Sequence, residues 1–150
     1  MKNLFCIALS IIVLFSCKKE TTKLDPEYFS FGIAHGECLG NCAQFFQIRD
    51  GQLFPDDMDY LVSPLVFQDE ALPSDKYELA KTLLDSFPTY FLDDPNQTYG
   101  CPDCADQGGI HIEMKKNGEV ISWHIDTIDS NQPEEIQDYI VELRSILDQL

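Results

Sequence analysis

From Tyr28 onward, apolar and polar positions alternate in short runs that predict strands, and two stretches switch to a helical period. Tyr28–Ala34 reads as a first strand, followed by a glycine-rich loop over His35–Cys42. Ala43–Arg49 reads as a second strand, turned by Asp50-Gly51 and returned through Gln52–Phe54. Asp-Gly between apolar runs favours the positive backbone angles of a two-residue hairpin. Pro55 and the acidic run Asp56–Asp59 end that strand, and Tyr60–Phe67 is expected as a further strand, broken by Pro64. Ser74 is expected to cap a helix with Ala80, Leu83, Leu84 and Phe87 on one face, stopped by Pro88. Leu92–Gly109, rich in aspartate, proline and glycine, is expected to be a long loop.

The clearest hairpin is Ile110–Lys116 with Glu119–Asp126, joined by Asn117-Gly118. A two-residue turn sets Lys116 opposite Glu119 and fixes every further pair. Ile110–Ile125, Ile112–Trp123 and Met114–Ile121 then share one apolar face. His111–His124, Glu113–Ser122 and Lys115–Val120 share the other, because strand side chains alternate. The last helix begins near Pro133 and runs to the C-terminus, with Ile136, Tyr139, Ile140, Leu143, Leu147 and Leu150 on one face.

A cysteine loop precedes each hairpin, at 36–43 and 100–105, and a helix follows each hairpin. Two hairpin–helix halves predict an α+β domain over 28–150: an antiparallel sheet built on the Asp50-Gly51 and Asn117-Gly118 turns, with two helices packed on one face. The two cysteine loops would then fall at one edge or end of the sheet.

The N-terminus follows another pattern. Leu4–Phe15 is apolar without a polar face, is preceded by Lys2, and ends in Leu14-Phe15-Ser16-Cys17. Twelve residues are too few to span a bilayer, which takes about 20, and a basic start with a small residue at the cut marks a cleaved export signal. We therefore expect residues 1–16 to be a lipoprotein signal peptide, Cys17 to carry lipid, and 17–27 to be a flexible tether. The formal net charge is −16, one unit more negative once Lys2 leaves. Such acidity argues against nucleic acid and against adsorption to anionic lipid, leaving the lipid on Cys17 as the membrane contact.

Cys6 leaves with the leader and Cys17 takes the lipid, so Cys38, Cys42, Cys101 and Cys104 remain. An even set in an exported domain reads first as two disulfides, with three possible pairings. The local pairing, 38–42 with 101–104, closes small rings worth about 2 kcal/mol each, whereas a cross-pairing approaches about 4 kcal/mol. The same four sulfurs could instead bind zinc as thiolates, or Cys101-Pro102-Asp103-Cys104 could act as a redox pair. The Gly-rich stretch after Cys104 is a poor helix start, which disfavours a thioredoxin-like site, and no histidine follows Cys104 for haem attachment.

His111 and His124, expected face to face with Glu113 on the same face, form a candidate metal or pH-sensing group; the plainer reading is a solvated outer face. His35 reads as a loop residue. No nucleophile elbow, phosphate-binding loop or His-Glu-x-x-His motif is present. The run from Asp94 and Asn96 has Ala105 where a calcium loop closes with glutamate.

Leu14–Cys17, the Gly-Glu-Cys-Leu-Gly-Asn-Cys loop at 36–42 and Cys-Pro-Asp-Cys-Ala-Asp-Gln-Gly-Gly at 101–109 resemble a group of small, uncharacterised bacterial lipoproteins. The resemblance covers most of the chain and implies export and a cysteine-framed domain; it brings no catalytic residue. Lys18 after the cysteine is not an acidic retention signal, so the resemblance favours the outer membrane. The expectation is a lipid-anchored, non-enzymatic binding or structural module of the cell envelope, without a cofactor, meeting a protein or envelope ligand. The alternative is a metal-binding or thiol redox protein, with zinc on the four cysteines or on His111, His124 and Glu113.

Overall fold

The computed structural model describes residues 24–150; the expected signal peptide, Cys17 and most of the tether lie outside the described residues. Six strands form one sheet in the order β3-β2-β1-β5-β6-β4. They are β1 (Tyr28–Ala34), β2 (Ala43–Arg49), β3 (Gln52–Pro55), β4 (Thr98–Tyr99), β5 (Gly109–Lys116) and β6 (Glu119–Asp126). Three helices complete an α+β fold: α1 (Ser74–Asp85), α2 (Thr89–Asp93) and α3 (Glu134–Leu147).

Both hairpins turn where Asp50-Gly51 and Asn117-Gly118 place them, and all four turn residues have positive φ. The β5–β6 register matches the two-residue turn throughout, from Lys116 opposite Glu119 to Ile110 opposite Ile125, with His111 opposite His124. Strand β1 joins the hairpins. It pairs antiparallel with β2 on one side and with β5 on the other, so Phe31 lies between Phe46 and Ile112.

Alternation on these strands sorts the molecule into two sides. Phe29, Phe31, Ile48, Leu53, Ile110, Ile112, Met114, Trp123 and Ile125 cluster with Ala80 and Leu83 of α1, Phe91 of α2, and six residues of α3 from Ile136 to Leu147. Phe87, between α1 and α2, is an aromatic hub: its ring lies 5.2 Å from Phe91, 5.5 Å from Trp123, and 5.7 Å from both Phe29 and Tyr139. Each buried aromatic contributes about 1.5–3 kcal/mol by leaving water. Two of the polar tips inside this cluster are satisfied, Trp123 Nε1 donating to the Asp94 carbonyl and Tyr139 Oη to the Leu83 carbonyl, whereas the buried Tyr99 hydroxyl has no partner among the described residues.

The structure differs from expectation in four places. Tyr60–Phe67 is not a strand. Asp56 and Phe67 form a single bridge, and the Asp57 N–H donates to the Val66 carbonyl, so the segment doubles back on itself. Pro64 lacks a donor for a ladder, and the Asp56 carboxylate caps the Phe45 and Met58 N–H groups, competing with strand pairing. Thr98–Tyr99, within the expected long loop, adds a short parallel strand beside β6. Pro88 ends α1's segment but also opens α2, because proline suits a helix start. Ser74 is the first helical residue and Pro73 occupies the cap position, with no side-chain cap. Of the expected tether, Leu24 packs against the main core, and the Glu27 N–H donates to the Lys115 carbonyl.

Gly32, in the middle of β1, has no side chain on the face away from the helices, and the Phe45 ring of β2 takes that space. A Cβ there would lie 2.6 Å from two carbons of Phe45 and closer still to the Gln44 carbonyl oxygen. Gly32→Ala is therefore expected to cost about 1–3 kcal/mol through overpacking, read as a lower urea midpoint; an unchanged midpoint would show that the ring has room to move.

Candidate functional site

The face opposite the helices holds the polar chemistry. Across its middle row, Phe45, Gly32, His111 and His124 lie side by side on β2, β1, β5 and β6. Phe45 reaches over Gly32 to touch His111, with ring centroids 5.8 Å apart. His111 in turn stacks on His124 at 3.8 Å, with the planes 26° apart. Gly109 leaves room for the outer ring, since a Cβ there would collide with His124 Nε2 and lie 2.9 Å from Pro102 Cβ.

The 56–67 loop roofs this row. Met58, Leu65 and Phe67 pack with Ala34, Ala43 and Phe45 into a second, smaller cluster. Beyond that cluster the loop stands off the sheet and leaves a cavity of about 390 Å³. Leu61, Val62, Ser63 and Leu65 line it from the loop, and His111, Glu113, Ser122 and His124 from the sheet. A smaller cavity of about 220 Å³ lies on the other side of the histidines, lined by His35, Gly36, Tyr60, Leu61 and Asp103 among others. The roof is itself apolar and exposed: Tyr60, Leu61, Val62 and Val66 keep roughly half of their surface in water, at 42–56%.

Electrostatics keep the imidazoles uncharged. Burial, and then the neighbouring His124, push His111 down to about 3, with Asp103 opposing weakly. Burial also lowers His124, again against Asp103. At neutral pH both rings are neutral and stack without repulsion. His124 Nε2 is shut off from water and has no hydrogen-bond partner among the described residues. One row along, Glu113 Oε1 accepts a 2.8 Å hydrogen bond from Tyr28 Oη. Burial and the Glu113 carboxylate raise the Tyr28 hydroxyl well above its usual range, so it stays a donor.

Both cysteine pairs are local disulfides, Cys38–Cys42 and Cys101–Cys104, with Cα atoms 5.8 and 5.5 Å apart. The two loops do meet at one end of the sheet. Asp103, between the second pair, accepts from the Gly36 N–H at 2.5 Å and the Gly108 N–H at 2.9 Å, clamping one loop to the other. In disulfides the four sulfurs are not thiolate ligands. The two imidazole rings stack 3.8 Å apart. Among the described residues no group of three or more His, Cys, Asp or Glu is arranged to hold a metal ion.

The sequence brought His111, His124 and Glu113 to one face but did not reveal the roof or His35. His35 is a loop residue, as expected, yet it lines the small cavity with the other two histidines, so all three gather. Spacing carries no signal for that meeting; the paired cysteine loops at one end were the only hint. The chain matches no family model and no curated protein, so its function is argued from its own residues.

The cysteine end is anchored by Asp126, which is fully buried. Burial works to raise its pKa, but hydrogen bonds from the Ile128 N–H, the Asn131 side chain, the Cys101 N–H and the Gln107 side chain outweigh it and hold it at about 2. A carboxyl depressed in the folded state stabilises fully above its unfolded pKa, near 3.8, and loses that contribution as pH falls through about 2. Asp126→Asn is expected to cost about 2–4 kcal/mol at neutral pH. In urea titrations, the gap from wild type should narrow as pH falls from 4 toward 2; a constant gap would refute the carboxylate's role.

Proposed function

We propose that this protein is held in the cell envelope by lipid on Cys17, in the outer membrane, and works there as a non-enzymatic binding module. The observation that carries the binding reading is the 390 Å³ cavity between the apolar loop and the polar sheet face. Its volume falls in the range of small-ligand sites, and its lining pairs apolar walls with a few convergent polar groups, as such sites do. Ser122 lies opposite Glu113 in the register, but among the described residues no hydrogen bond joins its hydroxyl to that carboxylate, which accepts from Tyr28 instead.

The geometry of attachment supports the same reading. The chain enters β1 at the end that carries both hairpin turns, where the Gly118 N–H and Lys115 Nζ hold the Glu27 carboxylate at 2.7 and 2.9 Å. The cysteine loops lie at the other end of β1, about 20 Å away at the rise of a seven-residue strand. The cysteine loops therefore stand at the end of the sheet remote from Glu27, through which the chain joins the expected tether. The zinc alternative has less behind it, since the sulfurs are paired and the imidazoles stack.

Two experiments test the two halves of this proposal. Cells supplied with labelled palmitate should incorporate label into the wild-type chain and none into Cys17→Ala, which should move out of the membrane fraction; label retained by the variant would remove the anchor. For binding, a ligand-observed NMR screen of the full-length protein in non-ionic detergent should yield small-molecule hits that Ser122→Trp abolishes. Ser122 is exposed at the cavity wall, so the indole fills the space without disturbing the core. Hits indifferent to that change, or no hits, would end the binding reading.

A further inference from the structure

The charge pattern around the larger cavity specifies what it takes. Among its lining residues Glu113 is the single formally charged group, and no Lys or Arg is present. The two imidazoles beside it are neutral, so nothing in the lining cancels the carboxylate. Tyr28 uses Oε1 of Glu113, and the second oxygen has no partner among the described residues. A part-buried carboxylate with a spare oxygen at the floor of an apolar-walled cavity favours a cation that can donate a hydrogen bond.

The surroundings extend this preference. Between Leu24 and Asp75 the only Lys or Arg is Arg49, and between Thr82 and Met114 there is none. Arg49 and Lys115, the cations nearest on this face, are engaged elsewhere. Arg49 lies 3.8 Å over the Phe54 ring and donates to Gln47 Oε1, and Lys115 pairs with Glu27. Meanwhile Glu37, Asp56, Asp57, Asp59, Asp103 and Asp106 rim the cysteine end and the roof. A net charge of −16 with this distribution concentrates small cations at the mouth and repels anions.

We propose that the larger cavity binds a small organic cation: a primary amine on a short apolar or aromatic frame. Its ammonium donates to the free oxygen of Glu113, with Ser122 Oγ and the neutral imidazoles as further acceptors. Its frame lies against Leu65 and against Leu61 and Val62, which stand half-exposed and gain burial when the site fills. This assignment rests on the binding reading above and adds the ligand's charge and size.

The test uses three probes of one shape and different charge: phenethylammonium, 2-phenylethanol and 3-phenylpropionate. Each is titrated by calorimetry into the full-length protein in non-ionic detergent. Phenethylammonium is expected to bind at least about tenfold more tightly than the other two, and its affinity should fall with added sodium chloride. Glu113→Gln keeps the acceptor for Tyr28 and should erase the preference for the amine, while Ser122→Trp should remove binding of every probe. Equal or tighter binding of the alcohol or the carboxylate, or an amine preference that survives Glu113→Gln, overturns the assignment. If those neutral or anionic probes bind and are lost in Ser122→Trp, the binding module stands and only the cation class fails. If no probe binds while the wider screen gives Ser122→Trp-sensitive hits, again only the cation class fails.

Discussion

Strand β1 carries a backbone ladder on both of its edges, and the rest of the molecule depends on that arrangement. Each hairpin alone is a two-stranded ribbon with both outer edges open, a structure of marginal stability in water. Pairing with β2 and β5 at once turns two ribbons into one sheet and fixes both registers together. It also decides the faces. Phe29 and Phe31 go to the helices, while Ser30, Gly32 and Ala34 go to the other side, and a slip of one residue would exchange them. The row from Phe45 to His124 exists because Gly32 sits at the crossing point of that ladder, where a larger residue would hold the Phe45 ring away from His111.

What was legible in the chain follows from how local each signal is. The Asn117-Gly118 turn dictates every pair up to Ile110–Ile125, so the opposition of His111 and His124 could be read from numbering alone. The Asp50-Gly51 turn and the α3 stripe were legible for the same reason, since turn chemistry and helical period act within a few residues. The roof was not. Tyr60–Phe67 has the apolar content of a strand, but its fate turns on Pro64 and on the Asp56 carboxylate capping the Phe45 N–H across the sheet edge. That competition between side chain and ladder is tertiary, and composition does not register it. Thr98–Tyr99 was missed similarly: a two-residue strand has no period of its own and exists because β6 offers a free edge.

The placement of charge has a common logic. Two of the buried or part-buried acids, Asp126 and Glu113, are treated oppositely by their surroundings. Asp126 is saturated with donors and acts as a structural rivet between β6, the Cys101 loop and the turn at Asp129–Asn131. Glu113 receives a single donor on one oxygen. A saturated carboxylate has no capacity left for a ligand, whereas an under-used one beside a cavity does. Neutral histidines complete the contrast: a protonated pair would repel across 3.8 Å and would neutralise the site they line.

The disulfides fit this division of labour better than they fit a role in global stability. Rings closed by three and four residues in sequence restrict the unfolded chain little, about 2 kcal/mol each. They lie where the glycine-rich loops leave the sheet and have few ladder partners, so their effect is to set local shape. Asp103 uses that shape: held at positive φ inside the second ring, it presents both carboxylate oxygens to the Gly36 and Gly108 N–H groups. The clamp fixes the wall of the smaller cavity and, through Gly109, the seat of the His124 ring. Two short rings thus shape the histidine end, while the roof is tied to the sheet by the Phe45 N–H on Asp56 and the Cys42 N–H on the Asp59 carbonyl.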